Sequence, residues 1–131
     1  MITRYNAKDT AITVDGTFIT GLGENMIGWS KDEAYFEPVV GAQGDIIKSE
    51  INNGIHTMTI AVQPTSPQLP LLMNLQGRSD TFPVWGINKS LGVRFGGEQA
   101  SIKEAPEISL GASAEDLEFT ITVFDGVTEA V

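Results

Sequence analysis

From Leu117 to Val123 the chain alternates strictly: Leu117, Phe119, Ile121 and Val123 are apolar, and Glu118, Thr120 and Thr122 between them are polar. Successive side chains of a β-strand point to opposite faces, so a period of two describes a strand with one face buried and one wet. Met58, Ile60 and Val62 repeat the pattern against Thr57, Thr59, Ala61 and Gln63, with threonine supplying β-branching on the polar side. Strands of this kind must cover their apolar face with a second layer. Helical spacing occurs only around Leu69, Leu72, Met73 and Leu75.

Turn signals divide the remainder into further strands. Ile12 and Val14 lead into Asp15-Gly16 and Thr17 to Thr20 lead out, which predicts a tight hairpin over Ala11 to Thr20. Gly21 to Asn25 read as a break or bulge, and Met26 to Lys31 as a short strand carrying Trp29. Tyr35 to Val40 is a β-type run interrupted by Pro38. Proline cannot donate to a ladder, so the run is an edge strand or an extended arm. Phe82 to Asn88 and Gln99 to Glu104 are further strands, with a glycine-rich turn or bulge between them. Glu107 to Leu110 is a short piece, and the tail after Asp125-Gly126 reads as frayed. About eight strands spaced by turns every 8 to 12 residues or so, with one helix, predict a mainly β protein. The expected architecture is an antiparallel β-sandwich or barrel of two packed sheets with one flanking α-helix.

The centre of the chain, Asp45 to Gly77, carries the most specific text. Two β-runs, Asp45 to Ile51 and Ile55 to Gln63, flank Asn52-Asn53-Gly54, a turn signal that predicts a hairpin between them. Pro64 stops the second run. Ser66 reads as a helix cap with Pro67 at the first helical position, Pro70 still within the first turn, and Gly77 as the stop. The ordered series Gly44-Asp45-Ile46-Ile47-Lys48-Ser49, Asn52-Asn53-Gly54, Thr57-Met58-Thr59-Ile60 and Gln63-Pro64-Thr65-Ser66-Pro67 resembles the middle of the bacteriophage tail tube proteins; the family's usual company with a sheath protein, and no residue of this chain, points to contractile-tailed phages. The likeness runs from about Ala11 to Val123. The segment after Asn52-Asn53 is shorter than the family's, and Glu50-Ile51 and Pro64 depart from its usual residues.

The resemblance implies one tail-tube-like domain over residues 1–131, with an extended arm at about 35–53. It implies a structural subunit that forms hexameric rings, stacked into a tube through which DNA passes during ejection without specific binding. The partners implied are further copies of the chain, a sheath protein if the tail contracts, and baseplate and tail terminator proteins. The location implied is the virion tail, assembled in the host cytoplasm. On this reading Phe36, Val39, Val40, Ile46, Ile47, Asn52 and Asn53 belong to the subunit interface.

Composition sharpens the functional reading. The formal net charge is −9, and seven carboxylates but no Lys or Arg lie from Glu104 onward. A surface of that sign repels polyanions. Asp116, Glu118, Thr120 and Thr122, in line on the polar side of the cleanest strand, are therefore the expected lumen-facing residues. The ordinary alternative is an outer face that keeps the subunit soluble. There is no cysteine and one histidine, His56, which reads as a solvated strand residue beside the turn. Without cysteine no disulfide or thiolate metal site is available, and a single histidine argues against His-rich metal sites and His-dependent triads. Neither Asp32-Glu33 nor Glu115-Asp116 has calcium-loop spacing, and no phosphate loop or nucleophile elbow occurs. No enzyme, cofactor or metal is expected. No run of about 18 apolar residues exists to span a membrane, and the first ten residues hold no apolar signal core. Two other readings stand beside the phage tube. One is a monomeric β-sandwich module binding carbohydrate or a protein partner through Trp29, Trp85 and loop carboxylates. The other is the tube of a related secretion or bacteriocin machine.

Overall fold

The period-two stretches become strands where the sequence places them, and the partners they choose give the molecule its shape. The computed structural model describes residues 4–130. After a single 3-10 turn at Ala7–Asp9 come β1 (Thr10–Val14), β2 (Thr17–Phe18), β3 (Leu22–Lys31), β4 (Phe36–Val40), β5 (Ile46–Glu50) and β6 (His56–Val62). The helix α1 (Leu69–Leu75) follows, and then β7 (Phe82–Asn88), β8 (Val93–Glu104), β9 (Leu117–Val123) and β10 (Val127–Ala130). Eight strands form one antiparallel sheet in the order β2-β1-β7-β8-β9-β6-β3, with β10 also pairing β8; β4 and β5 pair only with each other.

The long strand β8 holds the two halves together. Its first part pairs with β7 and β10, and its last part, from Ala100, pairs with β9. The halves fold over a shared core in which Ile12, Val14, Phe82 and Val84 of one meet Met58, Ile60, Val62, Phe119, Ile121 and Val123 of the other. The fold is thus mainly β, antiparallel, with one helix closing the core through fully buried Leu72 and Leu75. Gly96 sits at the crossover in β8 with φ +145, where a Cβ would lie 2.1 Å from the Val84 carbonyl oxygen. Only glycine lets the β7 backbone approach that closely.

Several local expectations are met. The Asp15-Gly16 turn has both residues at positive φ, as a two-residue hairpin with the right twist requires. The break at Gly21 to Asn25 is a bulge within β3, where the register with β6 shifts between Leu22 and Ile27. Gly77 follows α1 with φ +72.

Others are corrected. Asn52-Asn53-Gly54 does not close a hairpin: β5 pairs β4, β6 pairs β3 and β9, and Gly54 does not take positive φ. The turn is instead Gly41 to Asp45, where the Gly41 N–H donates to the Asp45 carbonyl at 2.8 Å and Gly44 has φ +90. Ser66 is not the helix cap. Its Oγ donates to the Thr20 carbonyl at 2.6 Å, Gln68 takes the cap position, and Pro70 falls in the first turn. β8 runs through the glycine-rich stretch from Val93 instead of starting at Gln99. Glu107 to Leu110 belongs to an exposed loop, Ala105 to Asp116. The tail is not frayed, because Val127–Ala130 adds to the first half of β8. His56 is buried at 5% exposure. The register Lys31↔His56 and Trp29↔Met58 sets its ring against Trp29, with ring centroids 4.7 Å apart.

Candidate assembly surfaces

β4 and β5 are the far end of a ribbon that begins as β3 and β6. The ladder between β3 and β6 ends with the Asp32 N–H donating to the Ile55 carbonyl at 3.0 Å. It resumes with the Ile51 N–H donating to the Tyr35 carbonyl at 2.9 Å, one residue out of register. Glu33 and Ala34 on one side face Asn52, Asn53 and Gly54 on the other, two residues against three. Asn53 Oδ1 accepts the Ile55 N–H at 3.0 Å, which bends the chain there. Lys31 Nζ donates to the Glu33 carbonyl at 2.7 Å and the Ala34 carbonyl at 3.4 Å, and lies 4.6 Å from the centre of the Tyr35 ring. The residues read as a hairpin turn are thus the joint between body and arm.

Beyond that joint every residue of β4 and β5 is exposed. Val39 pairs with Ile47 and Val40 with Ile46, so four apolar side chains crowd the tip, with Phe36 nearer the root under Lys48. Ile46 is 71% exposed and Val40 65%. An isolated two-stranded ribbon is marginal in water, and exposed apolar ribbons are hazards unless something covers them. Of the seven expected interface residues, Phe36, Val39, Val40, Ile46 and Ile47 lie on the arm, and Asn52 and Asn53 at its joint.

The second surface is the outer face of β3, β6, β9 and the end of β8. Ser30, Thr57, Thr122 and Ser101 form one cross-strand row, and Gly28, Thr59, Thr120 and Glu104 the next. Small hydroxyl side chains therefore pave this face, with Glu118, opposite Ala61, and Glu104 at one end. Thr120, Thr122 and Glu118 stand together on it. Asp116 is in line with them, but its carboxylate accepts the Glu24 N–H at 3.2 Å and fills the space over Gly23, so it holds the β3 bulge. Among the described residues no group of three or more acidic or histidine side chains is placed to hold a metal ion.

Neither tryptophan offers an open sugar platform. Trp29 is stacked between His56 and Phe95 and donates its indole N–H to Thr128 Oγ1 at 2.8 Å. Trp85 is covered by the Arg94 guanidinium at 3.9 Å from its centroid. The Trp29 contacts close the body by tying the edge strand β3 to β8 and β10. They were hidden in the sequence, since they depend on which distant strands pair.

No protein-family model and no curated protein matches the chain. Its fold does recur in solved structures of contractile injection systems. A chain in the tube-terminating cap of the anti-feeding prophage superposes with a TM-score of 0.61 at 9% identity, over 100% of this chain and 94% of that one. A chain in the extended-state sheath-tube complex of the PVC extracellular contractile injection system gives 0.64 at 12% identity, over 98% and 93%. One in the extended-state sheath/tube terminator of that system gives 0.55 at 12%, over 97% of each chain. The likeness is one of fold, and it covers nearly the whole of each chain: this mainly β fold is shared with chains from the cap, sheath-tube and terminator assemblies of these machines.

Proposed function

We propose that the chain, acting as one domain, is a structural subunit of a tail tube. It forms hexameric rings that stack, with the hydroxyl and acidic face of β3, β6 and β9 toward a lumen through which DNA slides. The observation that carries this reading is the β4–β5 arm: an apolar ribbon, wholly exposed in the single subunit, on a body whose fold is shared with chains of a tube-terminating cap and a sheath-tube complex. Such a ribbon is explained if its stability comes from neighbouring copies. Sheath, baseplate and terminator proteins would be its further partners, and the virion tail, built in the host cytoplasm, its place. The solved structures with this fold favour one variant specifically, a tube or tube-capping subunit of a contractile injection system.

Sedimentation with negative-stain microscopy tests the proposal. Purified protein is expected to form rings or tubes, and more of them as salt rises, because a charge of −9 on each copy opposes ring closure until it is screened beyond about 8–10 Å. A monodisperse monomer at all concentrations and salts would overturn it.

A further inference from the structure

We propose that the loop Ala105 to Asp116 of one copy docks into the cleft at the arm root of the next, so that subunits meet head to tail. The proposal rests on the tube reading and names the contact that reading leaves open. The cleft, of about 390 Å³, lies where the ribbon breaks, and Lys31, Tyr35, Ile51, Asn52, His56 and Val127 are among its lining residues. Among the described residues no carboxylate lines it, in a chain with 17 acidic residues and 8 basic ones. The nearby Asp32 carboxylate is engaged, accepting from Thr57 Oγ1 at 2.6 Å. Two of the N–H groups of Lys31 reach the Glu33 and Ala34 carbonyls, and the third has no partner among the described residues. The cleft is therefore shaped to accept an acidic group beside an apolar one.

The loop supplies both. It carries Glu107 and Glu115 with Ile108 and Leu110, and Leu110 is 93% exposed, the most exposed large apolar residue among those described. Position decides the pairing. In the β6–β9 ladder Leu117 opposes Val62 and Val123 opposes His56. The loop enters β9 at Leu117, and the cleft surrounds His56 and Gly126 at the other end. Seven strand residues, roughly 23 Å, separate them. Complementary patches at opposite ends of one body make a heterologous contact, which closes into a ring or runs on into an open stack according to the rotation between copies, and does not stop at a two-fold dimer.

The absence of cysteine makes the test direct. Asn52→Cys and Leu110→Cys are introduced together at exposed sites in the full chain, which is assembled under reducing conditions and then oxidised. A ladder of disulfide-linked dimers, trimers and longer chains on a non-reducing gel is expected, with each single variant giving at most dimers. Assemblies of normal appearance without the ladder overturn this inference and leave the tube reading standing. So does a ladder from Asn52→Cys with Val40→Cys in its place, which would put a neighbour's arm tip in the cleft. Failure of the unsubstituted protein to assemble at all overturns both.

Discussion

The arm and the strand β9 use the same kinds of residue and meet opposite fates. Val39, Val40, Ile46 and Ile47 on the arm are exposed, whereas Leu117, Phe119, Ile121 and Val123 on β9 are buried. β9 has β6 on one side, β8 on the other and the opposite half of the sheet across its apolar face. The arm strands have only each other. β-propensity describes a fit to a pleated, half-covered surface, so it forms a strand in both places and contributes packing energy in only one. The two regions therefore do different work: β9 stabilises the body, and the arm leaves its apolar area uncovered, which on the proposed function is area kept for contacts with neighbouring copies.

Substitutions on the two regions should therefore separate folding from assembly. Phe119→Ala has the largest expected effect. It empties a fully buried site at the centre of the core, which costs about 3–5 kcal/mol, much of what a domain of this size has to spare. A thermal melt should fall by more than about 10 °C. A shift of only a few degrees would mean that the two halves can collapse around the gap. Val40→Asp with Ile46→Asp should do the reverse. Both sites are exposed, so the melt of the free subunit should stay within about 0.5 kcal/mol of the parent. Two desolvated carboxylates facing each other should abolish rings and tubes. If tubes still form, the arm lies outside the interface and the comparison fails.

How much of this was legible follows from what is local. Alternation is a property of neighbouring residues, so β6, β7 and β9 could be read directly, as could the Asp15-Gly16 turn, whose two residues must both take positive φ. Pairing is not local. Asn52-Asn53-Gly54 read as the reversal because its residues suit a tight turn, and periodicity cannot say which strand meets which. The ribbon closes at Gly41 to Asp45, and that choice turns Asn52 and Asn53 into a joint. The burial of His56 follows from the same register: only when Lys31 opposes His56 does its ring reach Trp29. The strand β10 was unreadable for a related reason. Val127–Ala130 is exposed along its length and has no alternation to display, and it is held by its ladder to β8 and by an ion pair of 3.0 Å between Arg94 and Glu129. At the assembly surfaces, sequence could point out apolar residues around Pro38 but not show that they stand clear of the body.

The smallest expected effect sharpens the comparison on the polar face, where neither folding nor assembly should change. DNA carries about one negative charge per 1.7 Å, so a wall that lets it slide should offer hydroxyls and carboxylates and few cations. The rows of Thr57, Thr59, Thr120 and Thr122, with Glu118 and Glu104 at one end, meet that description. A lumen-facing residue and an outer one differ in access, and a chain without cysteine lets access be measured at one atom. Glu118→Cys replaces an exposed side chain opposite Ala61 and should leave the melt unchanged. A small maleimide should label it in the free subunit and in tubes alike. A bulky polymer maleimide should label the free subunit quickly and assembled tubes only near their ends, with a rate that falls as tubes lengthen. Equal labelling of tubes and subunits by the bulky reagent would place Glu118 on the outer wall, and the acidic face would then serve only to keep the subunit soluble.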